Sequence, residues 1–250
     1  MLSIGTLYKI AIVSSESKTF PQNPLLEEAS SIDKAGERPG VRSLQAKTAW
    51  IELAVVYGLI EGAIWTEDFA KLLWTVAATA CALIFVFRGK PTLRELGLGT
   101  PPLKGSLWTL STATILAGFI LLGGWMAGTW DPRHPTWPPL QNPDLYAAWA
   151  LVQQFLLQIF FYKRLEVGLH NSRLAVLATA LLFSAAHIPN PWLVPGTLLG
   201  GLFFCELFRR YRNLYPLGAA HAMLGFAVAE ALSVVLLRHM RVGIGYLHSR

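Results

Sequence analysis

The stretch from Ala70 to Phe87, AKLLWTVAATACALIFVF, carries only one charged side chain, Lys71, in 18 residues. A helix of about 20 apolar residues is long enough to cross the hydrocarbon core of a bilayer. Six further apolar segments accompany it, at about 48–66, 107–129, 145–162, 173–188, 193–208 and 214–237. The pattern predicts an all-α fold, a polytopic transmembrane helix bundle of about seven spans. The fifth and sixth segments are short and form either two short helices or a partly re-entrant pair.

The composition excludes an ordinary soluble domain. Of 250 residues, 53% are hydrophobic and 14% are charged, whereas a soluble domain carries about 25% charged residues. The net charge of +6 is typical of basic cytoplasmic loops in a membrane protein, so we expect no nucleic-acid partner. Cys81 and Cys205 both lie inside apolar segments, which favours core positions over a disulfide or a metal site.

The distribution of basic residues predicts the topology. The N-terminal arm and the connections after spans two, four and six hold sixteen of the 21 Lys and Arg residues. By the positive-inside rule this side is cytoplasmic, and the C-terminal tail lies on the other side. We therefore expect a flexible cytoplasmic arm at 1–47 and a transmembrane bundle at 48–240. The expected location is the plasma membrane of a bacterium, with the N-terminus in the cytoplasm.

Several polar side chains fall inside the predicted spans, where a charge at the helix centre costs about 2.5–3.5 kcal/mol on insertion scales. Gln154 and Gln158 are four residues apart and therefore share a helix face. Two interpretations of the amides stay open: hydrogen bonds that join helices, or a polar pocket that faces His187 and His221. The polar set comprises Glu52, Glu61, Gln153, Gln154, Gln158, His187, Glu206, His221 and Glu230.

Two segments place a histidine in an apolar setting, FSAAH from Phe183 to His187 and HAMLG from His221 to Gly225. They resemble the second and third motifs, Phe-x-x-x-His and His-x-x-x-Asn, of the CPBP family of intramembrane proteases. This family includes the type II CAAX prenyl endopeptidases. Gly225 stands where asparagine is common in the third motif. The resemblance covers a core of about residues 90–230 and begins near LRELGLGTPP.

The first motif of that family, two glutamates followed by an arginine, aligns with QQFLLQIFFYKRL. This register puts Gln153 and Gln154 in the glutamate positions and Gln158 in the arginine position. The resemblance implies an intramembrane endopeptidase that acts on membrane-associated or lipid-modified peptides, with the glutamates activating a water molecule. A glutamine amide cannot accept that proton, although it can hold a water or donate to an oxyanion.

The catalytic base must therefore be a different group. His187 or His221, neutral in an apolar site, can accept a proton. Glu206 in LFFCELF can supply a carboxylate, or it can form an ion pair with Arg209 or Arg210 instead. The candidate catalytic residues are His187, His221, Gln153, Gln154, Gln158 and Glu206.

No cofactor is predicted, and two histidines with amides fall short of the three protein ligands usual at a catalytic zinc. The expected partners are the lipid bilayer and a membrane-embedded or lipidated peptide or protein. Because the glutamates are replaced, a second hypothesis is a catalytically inactive family member that binds a membrane partner. A third is a bundle that holds haem between His187 and His221.

Overall fold

The computed structural model describes residues 39–99, 103–130, 142–232 and 234–249. Within these ranges every regular element is helical, which confirms the predicted all-α class. The chain divides after Ser43, and residues Leu44–Arg250 form one compact unit. Most of the predicted cytoplasmic arm, residues 1–38, lies outside the described residues and stays a prediction.

Seven helices coincide with the seven apolar segments. The first begins at Pro39, nine residues before the predicted span at 48, and the seventh ends at Ala231, where the sequence predicts a helix to 237. Two short helices, α8 (Val234–Leu237) and α9 (Gly243–His248), follow and flank a 3-10 turn at Arg238–Met240. The seven are α1 Pro39–Ile64, α2 Asp68–Arg88, α3 Leu103–Met126, α4 Pro143–Leu169, α5 Ser172–Ala185, α6 Leu193–Tyr211 and α7 Leu214–Ala231.

Three of these helices, α2, α3 and α4, are long and apolar enough to cross a membrane. α2 and α3 leave many large apolar side chains exposed, among them Leu72, Ile84 and Phe119. A soluble monomer rarely exposes a contiguous apolar surface of this kind, whereas lipid accommodates it. For the other four helices, the crossing of a membrane stays a prediction.

α4 is the central helix, and its middle is wound as a π-helix from Leu156 to Tyr162. Six consecutive residues, Leu157 to Tyr162, are buried, so this segment is covered on every side. A helix that is apolar all round belongs in the interior of a bundle. π-helical turns are rare and occur frequently at functional sites. The sequence pattern did not predict this turn.

Small residues allow the helices to approach closely. A Cβ atom at Gly201 of α6 would lie 3.0 Å from the Cα of Ala180 in α5, and one at Gly124 of α3 would lie 2.6 Å from the Cα of Ala231 in α7. Such contacts between small residues are the usual basis of helix packing in membranes, where water supplies no driving force between helices. They fix α5 against α6 and α3 against α7.

Contacts between connections define two ends of the bundle. At the first, which we call the basic end, Leu214 N donates to Gly97 O at 2.9 Å, and Arg212 pairs with Glu166 at 3.7 Å. At the opposite end, the Thr129 hydroxyl donates to Ala231 O at 2.6 Å. The connections after α2 and α6 and the C-terminal end of α4 thus meet at one end, as the charge pattern predicts.

Candidate functional site

A buried chain of side-chain hydrogen bonds joins α4 to α7. Gln158 Nε2 donates to Gln154 Oε1 at 3.0 Å, and Gln154 Nε2 lies 3.1 Å from Nδ1 of His221. Both glutamines are fully buried. Because an amide NH₂ can only donate, Nδ1 of His221 accepts, and a neutral His221 carries its proton on Nε2. The predicted common face of Gln154 and Gln158 is confirmed by their hydrogen bond.

His187 has the opposite arrangement. Its Nδ1 lies 2.6 Å from the carbonyl oxygen of Phe183, one turn earlier at the end of α5. A carbonyl oxygen only accepts, so Nδ1 of His187 carries the proton. The lone pair of the neutral ring is therefore on Nε2, where it can accept a proton from a substrate or a water.

Aromatic rings bring the two histidines into one cluster. The ring of Phe183 lies edge-on to both, with centroid distances of 4.8 Å to His187 and 6.1 Å to His221. Phe204 of α6 stacks on His221 at 5.2 Å with an interplanar angle of 27°. Phe204 was not among the residues predicted for the site, although it lies in the LFFCELF segment together with Glu206. The rings hold both imidazoles in an apolar environment.

A cavity of about 340 Å³ opens beside this cluster, between α1, α2, α4 and α5. Gln153 and His187 both line it, together with Tyr57, Lys71 and mainly apolar side chains. His221, Gln154 and Gln158 are absent from its wall, so the expected polar pocket that faces both histidines is only partly correct. The histidines are neighbours through Phe183, but only His187 lines the cavity.

Gln158 is the last residue of the hydrogen-bonded series that runs from His221 through Gln154. Its Oε1 is buried without a hydrogen-bond partner among the described residues. An unsatisfied buried acceptor usually costs about 1–3 kcal/mol. Gln158 belongs to the π-helical segment, where local irregularity is frequent at functional sites.

The structure places Glu206 outside the cluster, which corrects its candidacy as the base. Both carboxylate oxygens are engaged: Arg209 Nε lies 2.7 Å from Oε2, and Arg210 Nε lies 2.6 Å from Oε1. Glu206 follows Phe204 by two positions, which turns it by about 200° on the helix. The ion-pair alternative for Glu206 therefore describes what is observed.

The two glutamates of α1 also have partners. Glu52, at the basic end, forms ion pairs with Arg88 and with Arg164, whose Nε lies 2.9 Å from Oε2. Oε2 of Glu61 accepts a hydrogen bond from Trp65 Nε1 at 3.0 Å, whereas its Oε1 is buried without a hydrogen-bond partner among the described residues. Neither glutamate belongs to the wall of the cavity.

Gly225 faces a tyrosine from α4. A Cβ atom at position 225 would overlap the hydroxyl oxygen of Tyr146, which is itself 7% exposed and packs edge-on against Phe226 at 4.8 Å. The space that any side chain at 225 would need is thus occupied by Tyr146. Because Gly225 lies one turn after His221, Tyr146 becomes part of the surroundings of the site.

Metal-ligating side chains do not cluster in the part of the chain that the structure describes: no group of three or more His, Cys, Asp or Glu residues could hold an ion there. The side chains that contact the histidines are the Gln154 amide and the aromatic rings of Phe183 and Phe204.

Comparison with known proteins links part of the chain to a family. The model of a family described as type II CAAX prenyl endopeptidase Rce1-like matches residues 136–227. No curated protein and no solved structure matches the chain. The matched segment contains the three glutamines and both histidines, and it confirms the resemblance found in the motifs. With the apolar helices, it indicates an integral membrane protein.

Proposed function

We propose that the protein, whose residues 136–227 are similar to type II CAAX prenyl endopeptidases, is an intramembrane endopeptidase with a histidine as catalytic base. The observation that carries this proposal is the state of His187. Its Nδ1 donates to Phe183 O, and the residue lines the cavity. The imidazole therefore offers a proton acceptor, Nε2, at the place where a substrate can bind.

The proposed chemistry uses His187 as general base and then as general acid. Water attacks the carbonyl carbon of the scissile peptide bond while its proton passes to Nε2 of His187. The tetrahedral intermediate collapses, the C–N bond breaks, and the proton moves from Nε2 to the leaving amine. The products are a carboxylic acid and an amine. Gln153, which lines the same cavity, is suited to hold the water because its amide both donates and accepts.

His221 is assigned a different role. With Nδ1 engaged by Gln154, its remaining ring proton is on Nε2, so it cannot act as the base in this state. Because His221 does not line the cavity, it supports the site through Phe183, which packs against both histidines. The buried Gln158–Gln154 pair fixes this tautomer. Gln154 and Gln158 are therefore positioning residues, in a place where the resembled family carries ionisable side chains.

The apolar lining of the cavity supports a membrane-associated or lipid-modified peptide as substrate. We further propose that all seven helices cross the bilayer, with the basic end and the N-terminus in the cytoplasm. The segregation of Lys and Arg supports this orientation. Lipid-exposed helices and a cavity beside α1 and α2 give a membrane-bound chain a direct route to His187.

A second candidate function is binding without cleavage. Among the described residues, no carboxylate forms a hydrogen bond with His187, His221 or the three glutamines, and a site without glutamate can hold a peptide without hydrolysing it. The partner in that case is a membrane peptide or protein that occupies the same cavity.

The experiment that tests the proposal measures cleavage of membrane-anchored and prenylated peptides in liposomes. His187→Ala should abolish cleavage, because general-base catalysis contributes typically 10²–10⁴-fold. His170→Asn is the matched control, since His170 is exposed and left-handed at the end of α4 and asparagine tolerates that backbone. Cleavage that survives in His187→Ala contradicts the proposal.

A further inference from the structure

The last part of the chain, residues 237–249, lies beyond the family match and packs against two connections at the end opposite the basic end. We call it the C-terminal segment. Gly243 N donates to Ile188 O at 2.9 Å, which ties the segment to the connection between α5 and α6. His248 Nδ1 lies 2.9 Å from a carboxylate oxygen of Glu67, in the connection between α1 and α2. The segment therefore bridges the two sides of the cavity.

Asn190 is the main anchor of this arrangement and is fully buried. Its Nδ2 donates to Leu237 O at 2.9 Å and to Arg241 O at 3.1 Å. Its Oδ1 accepts from the backbone N–H groups of Trp192 and Leu193, both at 3.1 Å. The two ends of the Asn190 amide thus have different functions. The oxygen caps the start of α6, and the nitrogen binds the C-terminal segment.

The backbone of the segment depends on these contacts. Arg238, His239 and Met240 all have positive φ, between 47° and 55°, a region that side-chain-bearing residues seldom adopt. Gly243 also has positive φ, at 54°, and a Cβ atom there would overlap the carbonyl of Ile64. Within the segment, Arg238 Nη1 donates to Ser249 O at 2.9 Å. A conformation this unusual is held by its docking and not by local preference.

The docked segment contributes directly to the cavity. Val242, next to Gly243, lines the same wall as His187 and Ile64. A change in the position of the segment therefore changes the size of the cavity and the access to His187. This contribution comes from outside residues 136–227, so the family match does not assign it.

We propose that the C-terminal segment is the outer wall of the cavity, and that Val242 determines which apolar chains pass to His187. That the apolar chain in the cavity is a substrate rests on the proposed function. That the C-terminal segment forms the wall of the cavity does not. A small side chain at 242 admits bulkier groups, and undocking the segment removes the wall.

The test is a labelling experiment that needs no catalysis. Ala186, in the cavity wall beside His187, is replaced by Cys in a chain that also carries Cys81→Ala. Cys205 is fully buried and stays. The rate of modification of the thiol at position 186 by methyl methanethiosulfonate is measured by intact mass, with the protein in liposomes.

Asn190→Asp should raise that rate about tenfold, since the variant keeps the oxygen that caps α6 but replaces the two donated hydrogen bonds by repulsion. Asn171→Asp is the control: Asn171 caps α5 through Oδ1 in the same way, bonding Arg173 N and Leu174 N, and the rate should not change. Val242→Trp should slow labelling and Val242→Ala should accelerate it.

The proposal is overturned if the thiol at position 186 is modified at the same rate with and without Asn190→Asp. It is also overturned if Asn171→Asp raises that rate as much as Asn190→Asp does. If Asn190→Asp fails to fold, the Val242 variants decide, and identical rates in the two overturn it. If the protein shows the expected labelling rates but cleaves no peptide, the proposal for the cavity wall stands and the proposed protease function fails. If cleavage depends on His187 but the labelling rates do not change as expected, the protease function stands and the proposal for the wall fails.

Discussion

The two histidines differ in which ring nitrogen carries the proton, and the proposed mechanism gives them different roles for that reason. Nδ1 of His187 faces a carbonyl oxygen at 2.6 Å, whereas Nδ1 of His221 faces an amide nitrogen at 3.1 Å. The first contact requires a proton on Nδ1, and the second excludes one in the neutral ring. In the proposed mechanism, this difference makes His187 the base and excludes that role for His221.

Nitrogen NMR of histidine-labelled protein tests this assignment directly. We expect Nδ1 of His187 to be protonated and Nδ1 of His221 to be unprotonated in the neutral protein, because their partners differ in polarity. Gln154→Leu removes the partner of His221, so that residue should lose its single tautomer while His187 keeps its own. The same tautomer in both native histidines would contradict the division of roles.

The hydroxyl group of Tyr146 fills the space that a side chain at position 225 would need. Gly225→Ala should destabilise the protein by about 1–3 kcal/mol, the usual cost of overpacking, because the new methyl group meets the Tyr146 hydroxyl. In a Tyr146→Ala background the same substitution should cost little, which a double-mutant cycle of thermal unfolding in detergent measures. Gly118→Ala is the control, since no atom lies within 4 Å of a Cβ there. Additive effects would show that the two residues do not compete for space.

At the scale of single residues, the sequence predicted some of the side chains that lie close together, but not the contacts between them. The spacing of Gln154 and Gln158 predicted that they share a helix face. The two histidine motifs predicted that His187 and His221 lie near these glutamines. Contact between Phe183 and both rings depends on the packing of α4, α5 and α7, which spacing along the chain does not encode. For Glu206 the sequence left two alternatives open, and the structure pairs it with the adjacent arginines of the same helix.

The elements themselves are joined by close contacts at small residues. Gly123 and Gly124 of α3 provide a test within one helix: no atom lies within 4 Å of a Cβ at 123, whereas one at 124 meets the backbone of Ala231. Gly123→Ala should leave stability unchanged or raise it by about 0.5–1 kcal/mol through helix propensity. Gly124→Ala should lower it, because α3 and α7 must separate.

Thermal unfolding of the two variants in the same detergent gives the comparison. A lower midpoint for Gly124→Ala than for Gly123→Ala is the expected result. Equal midpoints would mean that the contact between α3 and α7 does not limit stability.

Helix positions were predictable because a long apolar segment in lipid satisfies its own backbone hydrogen bonds only as a helix. The ends of the helices were harder to predict. α1 begins at Pro39, and proline is well tolerated at the first helical position, so polar residues before the apolar run continue the helix. The break after Ala231 and the π-helical segment of α4 arise from packing and leave no hydrophobic period in the sequence.

For the whole molecule, the distribution of charge predicts the orientation in the membrane. With the basic end in the cytoplasm, the C-terminal segment lies on the other side. Ser249→Cys should react with a membrane-impermeant maleimide on intact cells, whereas Ser43→Cys should react only after permeabilisation. Both are compared in a Cys81→Ala chain. Labelling of Ser43→Cys but not Ser249→Cys on intact cells would reverse the orientation.

The role of the C-terminal segment was not foreseen because its sequence has no apolar period and its contacts join distant parts of the chain. Asn190 reaches residues 237 and 241, and His248 reaches Glu67. Such long-range polar contacts follow from the assembled bundle. The fold class was therefore predictable from composition and periodicity, whereas the wall of the cavity was not.

The central claim is that a histidine replaces glutamate as the base of a peptide-cleaving site. It is tested most directly by comparing the native chain, His187→Ala and Gln153→Glu/Gln154→Glu on membrane-anchored and prenylated peptides in liposomes. We predict cleavage by the native chain that is lost in His187→Ala. No cleavage by the native chain, with cleavage by the double-glutamate variant, would contradict the claim and leave a binding protein on the fold of a protease.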